Sequence, residues 1–316
     1  MPLRDKATGI PLPFMSATAR KVGNPMSEKR HGTHRLVFLL PATLIILLFF
    51  FIPALLCIAF SFTDLALTGA NAKQLSFVGL SNYAKMFRDT NVIKAAANTV
   101  IFTLGSIVGQ SVMGFTIAYL LRGKKSWVRR IVGSLVMAGW VMPEVVAATC
   151  MSSFFDDHGT LNTILGFLGV AKISWLFTYP MLAVVLANIW RGTAFSMMNY
   201  QAALDDVDTS ILESAMLDGC GPLSSIVRII IPVLKGTIAT NSMLITLSTL
   251  GCFGMIWILT GGGPGGKTNT LSVLMYVKAF QNSQLGYGVA ISMAVLVIGI
   301  IFGVFYTRML GGGAKK

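Results

Sequence analysis

An eight-residue stretch late in the chain fits a phosphate-binding pattern. Residues 261–268 read GGGPGGKT, which matches G-x-x-x-x-G-K-[ST]. Such a loop binds phosphate when a strand precedes it and a helix opens at the Lys-Thr pair. Here a long apolar run precedes it, Pro264 removes one backbone donor, and no Asp or Glu follows as a magnesium partner. The sequence therefore predicts a glycine-rich turn, with no nucleotide, metal or other cofactor bound by this chain.

The sequence contains no motif for a catalytic nucleophile or for a metal site. His31 and His34 lie in a polar N-terminal stretch and His158 in a connecting loop, and neither H-E-x-x-H nor G-x-S-x-G occurs. The four cysteines are far apart without a C-x-x-C pair, which predicts small buried apolar residues rather than a disulfide or a metal site. They are Cys57, Cys150, Cys220 and Cys252.

Polar side chains inside long apolar runs are the stronger functional candidates. At membrane depth they are costly unless they face a bundle interior or a water-filled cavity. Such groups can bind hydroxyls while aromatic faces stack on a sugar ring, although Ser and Thr also commonly bond their own backbone. The candidates are Gln110, Glu144, Asn188, Arg191, Asn199, Thr246, Ser248 and Thr249, with Trp140, Trp190, Phe195 and Trp257 nearby.

The elements that position these groups are predicted to be membrane helices. Of the 316 residues 54% are hydrophobic and 12% charged, against about 25% charged in soluble domains. The net charge of +13 flanks apolar runs instead of forming one patch, so we exclude nucleic acid as a partner. Six runs reach the roughly 20 residues that span a bilayer. They cover about 36–62, 95–121, 131–155, 181–204, 236–259 and 287–310.

Two pairs of glycines suggest where these spans approach one another. Gly105 and Gly109 lie in the second run, and Gly299 and Gly303 in the sixth. Small residues four apart let membrane helices pack closely.

Lysines and arginines set the orientation of such a bundle, because they accumulate on the cytoplasmic side. With the N-terminus inside, cytoplasmic segments carry 17 of them and external segments 7. This predicts a cytoplasmic tail over residues 1–34, a membrane domain over 35–310 and a short cytoplasmic C-terminus over 311–316. The tail is not a cleavable signal peptide, since the following apolar run is too long. The basic loop 122–130 is predicted to be an orientation determinant at the lipid surface.

A polar island, residues 205–232, separates the fourth and fifth runs and holds five of the twelve acidic residues. Ser210 and Glu213 have the spacing of a capping box at a helix start. Gly219 favours a helix end and Pro222 a new helix start. We expect two short helices at an angle beside the membrane, which suits docking to another protein; an ordinary connecting loop is the alternative.

The island resembles the EAA loop of ABC importer permeases. Glu213-Ser214-Ala215 is followed at the family's spacing by Gly219 and by Ile229 to Pro232, which closes the unit; Ser214 and Ile231 depart from the family's alanine and leucine. The resemblance implies that residues 209–231 are the coupling helices that enter a groove of a cytoplasmic ATPase. The implied coupling residues are Glu213, Ser214, Ala215, Asp218, Gly219, Ile229 and Pro232.

Four further stretches resemble the sugar-importing branch of that family, the maltose, glycerol-phosphate and raffinose-type permeases. They are residues 77–87, 98–99, 159–169 and 259–268, so that the resemblance covers about 36–310. It implies an all-α membrane protein with six spans, the type I ABC importer permease fold, both termini cytoplasmic and the EAA helices between spans 4 and 5. The implied location is the cell (inner) membrane of a bacterium or archaeon.

The same resemblance implies a substrate path through Trp190, Arg191, Gly192, Phe195, Ser248, Thr249 and Cys252. Gln110 and Glu144 are added to the predicted path as polar groups at membrane depth. Arg191 replaces an apolar residue of the maltose-type permease, and Cys252 replaces an amide. Arg191 could favour an acidic or phosphorylated sugar, or it could neutralise Glu144. Glu144 follows Pro143, so it could instead sit at a kink and pair with a backbone donor.

The implied partners are a second permease, two cytoplasmic ABC ATPases that hold ATP and magnesium, an external solute-binding protein and the bilayer. The second permease could be a related chain or another copy of this one. Two other functions stay open, an ABC permease for phosphate, polyamine or peptide, and a secondary transporter or channel. The latter should show internal repeats or buried acidic relays, and Glu144 is the one carboxylate within a run.

Overall fold

A computed structural model describes residues 39–69, 72 and 75–311, so the predicted tail, Lys73 and residues 312–316 lie outside the described chain. The chain divides into two units, residues 1–55 and 56–316. The described residues form helices and one isolated bridge between Thr63 and Phe77. The predicted all-α class is therefore confirmed for this part of the chain.

The helices are numbered in chain order. Three of them contain a π-turn or continue into one, at Leu47–Phe51, Ile226–Ile230 and Val277–Gln281. The helices are α1 (Leu39–Ser61), α2 (Ser81–Arg88), α3 (Thr90–Leu121), α4 (Ser126–Val141), α5 (Glu144–Phe155), α6 (Thr160–Phe167), α7 (Trp175–Thr178), α8 (Pro180–Asp205), α9 (Thr209–Leu217), α10 (Pro222–Val233), α11 (Lys235–Leu250), α12 (Gly254–Thr260), α13 (Leu271–Tyr276) and α14 (Leu285–Gly311).

Four of these helices, α1, α3, α8 and α14, are long and apolar enough to cross a membrane. Two bent pairs pass the same test together, namely α4 with the segment Glu144–Phe167 at 102° and α10 with α11 at 72°. The described chain therefore offers four spans, or up to six if each bent pair is one span. The second span begins at Thr90 instead of near residue 95, because Asp89 caps it by accepting the Asn91 N–H at 2.9 Å.

The third and fifth predicted spans are broken within the described chain. α4 ends at Val141 and α5 restarts at Glu144, directly after Pro143, whose missing N–H cannot continue a helix. α11 ends at Leu250, and α12 begins only at Gly254. The sequence predicted continuous runs at both places, since both breaks lie inside apolar stretches.

Helices α3 and α8 form the closest packing around the core. A Cβ built on Gly105 would lie 3.0 Å from Val185 Cγ1, and one built on Gly109 would overlap the Ile189 side chain. Close approach at the first glycine pair is therefore confirmed. The second pair does not mark one, because a Cβ on Gly299 would have its nearest neighbours at 3.9 Å and one on Gly303 would meet nothing within 4 Å.

Three asparagines brace the loops that join the helices. Asn82 donates to the carbonyls of Ser61 and Thr63 at 2.9 and 2.8 Å. Asn98 donates to Gly266 and Asn269 at 2.9 and 3.1 Å. Such bonds satisfy backbone groups that loops leave without partners.

Asn162 bridges the segment between α5 and α8 in the same way. Its amide nitrogen donates to the Ile173 carbonyl at 2.8 Å, and its oxygen accepts from the Trp175 indole N–H at 3.2 Å. These asparagines lie in stretches that carry the family resemblance, and in this structure they act as braces between loops.

Residues 261–268 fold as the glycine-rich turn predicted from the sequence. Gly261 ends α12 with φ of 59°, and the Gly263–Pro264 bond is cis. The Thr268 hydroxyl donates to the Gly263 carbonyl at 3.0 Å and lies 2.6 Å from the Thr260 hydroxyl. The next helix, α13, opens at Leu271 and not at Lys267-Thr268, so the strand–loop–helix context of a phosphate cradle is not formed.

Candidate functional site

A cavity of about 360 Å³ opens between α3, α4, α5, α8 and α11. All but two of the residues predicted for the substrate path line it. The lining residues are Gln110, Trp140, Glu144, Asn188, Arg191, Gly192, Phe195, Leu244, Ile245, Ser248, Gly251 and Cys252.

The two exceptions are Trp190 and Thr249. Trp190 faces the opposite side of α8, where a Cβ on Gly139 would lie 3.3 Å from its ring, and Thr249 is buried with its hydroxyl donating to the Ile245 carbonyl. Neighbours on a helix point about 100° apart, so adjacency in sequence placed both on the wrong face.

Five lining residues were not assigned to the predicted path, although Asn188 and Trp140 were among the membrane-depth candidates. Helical periodicity is the signal that points to Asn188 and Leu244. On α8 the lining residues Asn188, Arg191, Gly192 and Phe195 recur at i, i+3, i+4 and i+7. On α11 the lining starts at Leu244 and returns at Ser248 with the same spacing of four. The missed residues are Trp140, Asn188, Leu244, Ile245 and Gly251.

Gln110 fills a notch that Gly192 leaves open between α3 and α8. A Cβ on Gly192 would collide with the Gln110 carboxamide. The Gln110 amide donates to the Asn188 carbonyl at 3.1 Å, and the Asn188 amide donates to Ser106 Oγ at 2.7 Å. This chain of bonds fixes one polar wall of the cavity.

Glu144 joins the two broken helices. Its Oε1 accepts the Met255 backbone N–H at 2.9 Å, near the start of α12, and lies 4.0 Å from Cys252 Sγ. A Cβ on Gly254 would lie 3.1 Å from the same oxygen. The carboxylate thus satisfies a free donor at a helix start. Of the alternatives drawn from the sequence, the structure realises pairing with a backbone donor.

Arg191 projects from the middle of α8 into the same cavity without a partner. Among the residues that the structure describes, it makes no side-chain hydrogen bond and no ion pair, and its Nε is buried and unsatisfied. Glu144 therefore does not neutralise Arg191 by direct contact. The cavity holds one engaged carboxylate and one unengaged guanidinium.

Aromatic rings form a further part of the cavity wall. Trp140 and Phe195 stack with centroids 6.0 Å apart and an interplanar angle of 26°. The candidate Trp257 lies elsewhere, stacked on Phe253 at 5.7 Å and packed edge-on against Tyr276 at 4.9 Å. Only the first pair presents an aromatic surface to the cavity.

The two remaining polar candidates hold helices together and do not line the cavity. Asn199 donates to Asn241 Oδ1 at 3.2 Å, which links α8 to α11. The Thr246 hydroxyl donates to the Ser242 carbonyl at 2.7 Å and lies 3.4 Å from the Tyr306 hydroxyl of α14.

The polar island folds into α9 and α10, and we call residues 205–232 the coupling segment after the role that the sequence resemblance implies. Its predicted capping box is wrong, because α9 already begins at Thr209 and the Asp208 carboxylate accepts the Ser210 N–H at 2.9 Å. That N–H holds the pKa of Asp208 below its ordinary value. Asp and Ser are equally good caps, so spacing alone selected the wrong one.

Gly219 ends α9 as predicted, in the left-handed conformation with φ of 79°. The Cys220 N–H bonds the Ala215 carbonyl at 2.9 Å, the pattern of a Schellman-type helix end. Pro222 then occupies the first turn of α10, also as predicted.

Pro232 does not close the segment. The helix runs on to Val233 and breaks at Leu234, where it bends by 72° into α11. A π-turn at Ile226–Ile230 ends two residues before the proline, and such local adjustments re-satisfy the backbone groups that proline frees.

The predicted coupling residues divide into anchors and an exposed face. Ala215 is 7% exposed, and Ile230 at 1% is the buried anchor of α10, whereas the predicted Ile229 is half-buried. Leu217 and Leu223, which the sequence did not single out, are 90% and 75% exposed. The remaining predicted residues are also exposed, namely Glu213, Ser214, Asp218, Gly219 and Pro232.

The basic loop 122–130 contacts the coupling segment directly. Arg122 Nη2 donates to the Val207 carbonyl at 3.1 Å, and Arg129 pairs with Asp205 at 2.5 Å. The sequence predicted only an orientation signal here, since nothing local reveals contacts across more than 70 residues.

Comparisons with known proteins agree with this geometry. Residues 110–310 match the family described as "Binding-protein-dependent transport system inner membrane component". The chain is 29% identical to the trehalose/maltose transport system permease protein MalF of Thermococcus litoralis, covering 74% of this chain and 79% of that protein. It is also 29% identical to the sulfoquinovosyl glycerol transport system permease protein SmoG of Agrobacterium fabrum, covering 87% and 89%.

Solved structures share the fold. A chain of a bacterial alginate ABC transporter, in complex with an alginate pentasaccharide-bound periplasmic protein, superimposes with a TM-score of 0.76 at 20% identity. The match covers 92% of this chain and 98% of that one. A chain of the MetNI methionine ABC transporter superimposes with a TM-score of 0.51 at 13% identity.

Proposed function

Because the chain belongs to the family of binding-protein-dependent transport system inner membrane components, we propose that it is the transmembrane permease subunit of an ATP-driven ABC importer for a sugar or sugar derivative. The observation that carries this proposal is the family match over residues 110–310, which includes both the cavity and the coupling segment. The named relatives transport trehalose or maltose and sulfoquinovosyl glycerol, which supports a sugar as the solute.

The chain connectivity supports a mechanical link between the coupling segment and the cavity. α8 carries Arg191 and Phe195 into the cavity and ends at the start of the coupling segment. α10 leads through the bend at Leu234 into α11, which carries Ser248. A displacement of the coupling segment therefore acts on two cavity walls at once, as alternating access requires.

We place the coupling segment on the cytoplasmic side, docked to an ABC ATPase. The lysine and arginine distribution supports this orientation, with both termini inside and six spans that include each bent pair once. Leu217 and Leu223 offer apolar anchors beside the exposed Glu213 and Asp218. Gly219 sets the angle between the two helices.

The complete importer contains a second, related permease, two cytoplasmic ATPases that bind ATP and magnesium, and an external solute-binding protein. It resides in the cell (inner) membrane. ATP and the loaded binding protein must each favour one conformation, because a ligand with equal affinity for both states shifts nothing.

Purification from native membranes tests this function. An affinity-tagged chain is solubilised in mild detergent, its co-purifying proteins are identified by mass spectrometry, and ATP hydrolysis is measured. We expect an ABC ATPase and a six-span permease in the complex, with measurable hydrolysis. A tagged membrane protein of another family serves as the control. Recovery of the chain without an ATPase would contradict the proposal.

A further inference from the structure

The two charges of the cavity are in different situations. The Glu144 carboxylate accepts the Met255 N–H, so a carboxylate already occupies the N-terminal end of the short helix α12. Arg191 has no such partner among the described residues, and its Nε is buried without a hydrogen bond. Among the described residues, the cavity therefore presents an unengaged guanidinium to whatever occupies it, beside a carboxylate that already accepts a hydrogen bond.

An unpartnered guanidinium at this depth is costly. Arg191 lies near the centre of the 26-residue helix α8. Charged groups within a membrane are tolerated when they face a cavity and pair with an opposite charge. Arginine suits carboxylate, sulfonate and phosphate because its planar fork can donate two parallel hydrogen bonds to such groups.

The rest of the wall is built for a sugar ring. Trp140 and Phe195 provide stacked aromatic faces. The Ser248 hydroxyl and the Gln110 amide donate to the Ile245 and Asn188 carbonyls, so they offer their oxygens as acceptors for sugar hydroxyls. The volume of about 360 Å³ falls within the range of small-molecule sites. Apolar faces, hydroxyl-binding groups and one free cation thus surround the same space.

We infer that the transported solute is a sugar bearing an acidic group, and that Arg191 binds this group in the cavity. This inference rests on the proposed function, since it names the substrate class of the same pathway. Sugar carboxylates, sulfonates and phosphates all carry one anionic group that Arg191 could bind. The experiment below distinguishes these three classes of solute.

The test is uptake into proteoliposomes that contain the complete complex, ATP inside and the binding protein outside. The probes are D-glucuronate, D-galacturonate and their oligomers, sulfoquinovose and glucose 6-phosphate, against neutral glucose, maltose and lactose. We expect transport of acidic sugars. For the acidic sugar that is transported best, Arg191→Gln should lower kcat/KM by at least about 10-fold. Arg191→Lys should give a kcat/KM between those of the unmodified protein and Arg191→Gln. Transport of the uncharged methyl ester or amide of that sugar should be little affected by either substitution.

Met198→Leu is the matched control, because Met198 lies on the same helix, is 37% exposed and does not line the cavity. Its uptake should equal that of the unmodified protein. If the Arg191→Gln chain itself does not reach the membrane, the wild-type panel and Arg191→Lys still decide the question.

Three results would overturn the inference while leaving the importer function intact. They are transport confined to neutral sugars, an equal loss for acidic and neutral forms in Arg191→Gln, and loss of the second permease from that variant's complex, which would assign Arg191 to the subunit interface. Absence of ATP-dependent uptake for every sugar would instead contradict the proposed function, and this inference with it.

Discussion

At the scale of single residues, Glu144 is the clearest case of a membrane-depth charge with a structural partner. Its carboxylate accepts the Met255 N–H across 111 positions of sequence. The sequence could predict that Glu144 sits at a break, because Pro143 precedes it. It could not predict the partner, since no local pattern connects α5 to α12.

Replacing Glu144 separates loss of charge from loss of the acceptor. Glu144→Gln keeps an oxygen for the Met255 N–H, whereas Glu144→Ala leaves that donor unsatisfied, which costs about 1–3 kcal/mol. We expect Glu144→Ala to lower the thermal midpoint of the purified complex clearly more than Glu144→Gln does. Equal midpoints for both variants, measured by thermal shift in detergent, would contradict this role.

Asp89, outside the membrane spans, gives a prediction on pH. Burial alone would raise its pKa, but hydrogen bonds from the Asn91 N–H at 2.9 Å, Lys278 Nζ at 3.2 Å and the Tyr287 hydroxyl at 3.0 Å hold it below the ordinary 3.8. A lowered pKa stabilises the folded state above 3.8, and this contribution is lost as the pH falls through the folded pKa.

Asparagine caps a helix as well as aspartate does, so the Asp89→Asn variant should lose mainly the charge-assisted bonds to Lys278 and Tyr287. It should therefore be less stable than the unmodified protein at pH 7, by about 1 kcal/mol. The difference between the two thermal midpoints should narrow as the pH is lowered below 3.8. A difference that stays constant from pH 7 to below that value would show that the carboxylate charge contributes nothing.

At the scale of elements, the periodic long helices were predictable and their interruptions were not. α3, α8 and α14 begin and end within about five residues of the predicted runs, because length and hydropathy alone specify them. The breaks after Val141 and Leu250 depend on contacts between distant segments. The cavity-lining face of α8 was available from its spacing, as Trp190 on the other face illustrates.

The turn between α9 and α10 yields a paired mutational test. Gly219 and Gly221 both have open space around an added Cβ, but only Gly219 has a positive φ, 79°. Gly219→Val should therefore strain the turn, leave the protein in the membrane and uncouple ATP hydrolysis from uptake. Gly221→Val, with φ of −68°, should keep the ratio of transport to hydrolysis. If Gly219→Val keeps the normal ratio of transport to ATP hydrolysis, the coupling role of residues 205–232 is contradicted.

The contact between α3 and α8 gives a second paired test. An added methyl group at Gly114 would meet Ser196 Cβ at 2.5 Å and the Met197 backbone nitrogen at 2.8 Å, whereas one at Gly133 would meet nothing within 4 Å. Overpacking against backbone costs about 1–3 kcal/mol, so Gly114→Ala should lower the thermal midpoint. Gly133→Ala, inside α4, should be neutral or stabilising by up to about 1 kcal/mol. The reverse order would contradict the packing described here.

At the scale of the whole molecule, α8 and α11 connect the candidate cavity to the coupling segment. Composition predicted the membrane class, and the spacing in residues 205–232 predicted the two short helices. That Arg191 lacks an ion-pair partner among the described residues could not be predicted, because it depends on Glu144, in the wall of the same cavity, bonding the Met255 N–H. Long-range pairs of this kind decide which polar residues are free to meet a solute.

The most direct measurement of the central claim is sugar uptake by the reconstituted complex with ATP present or absent. We expect accumulation against the sugar gradient only with hydrolysable ATP and the solute-binding protein, in the absence of any proton or sodium gradient. Accumulation that continues without ATP and follows an ion gradient would contradict it and identify a secondary transporter.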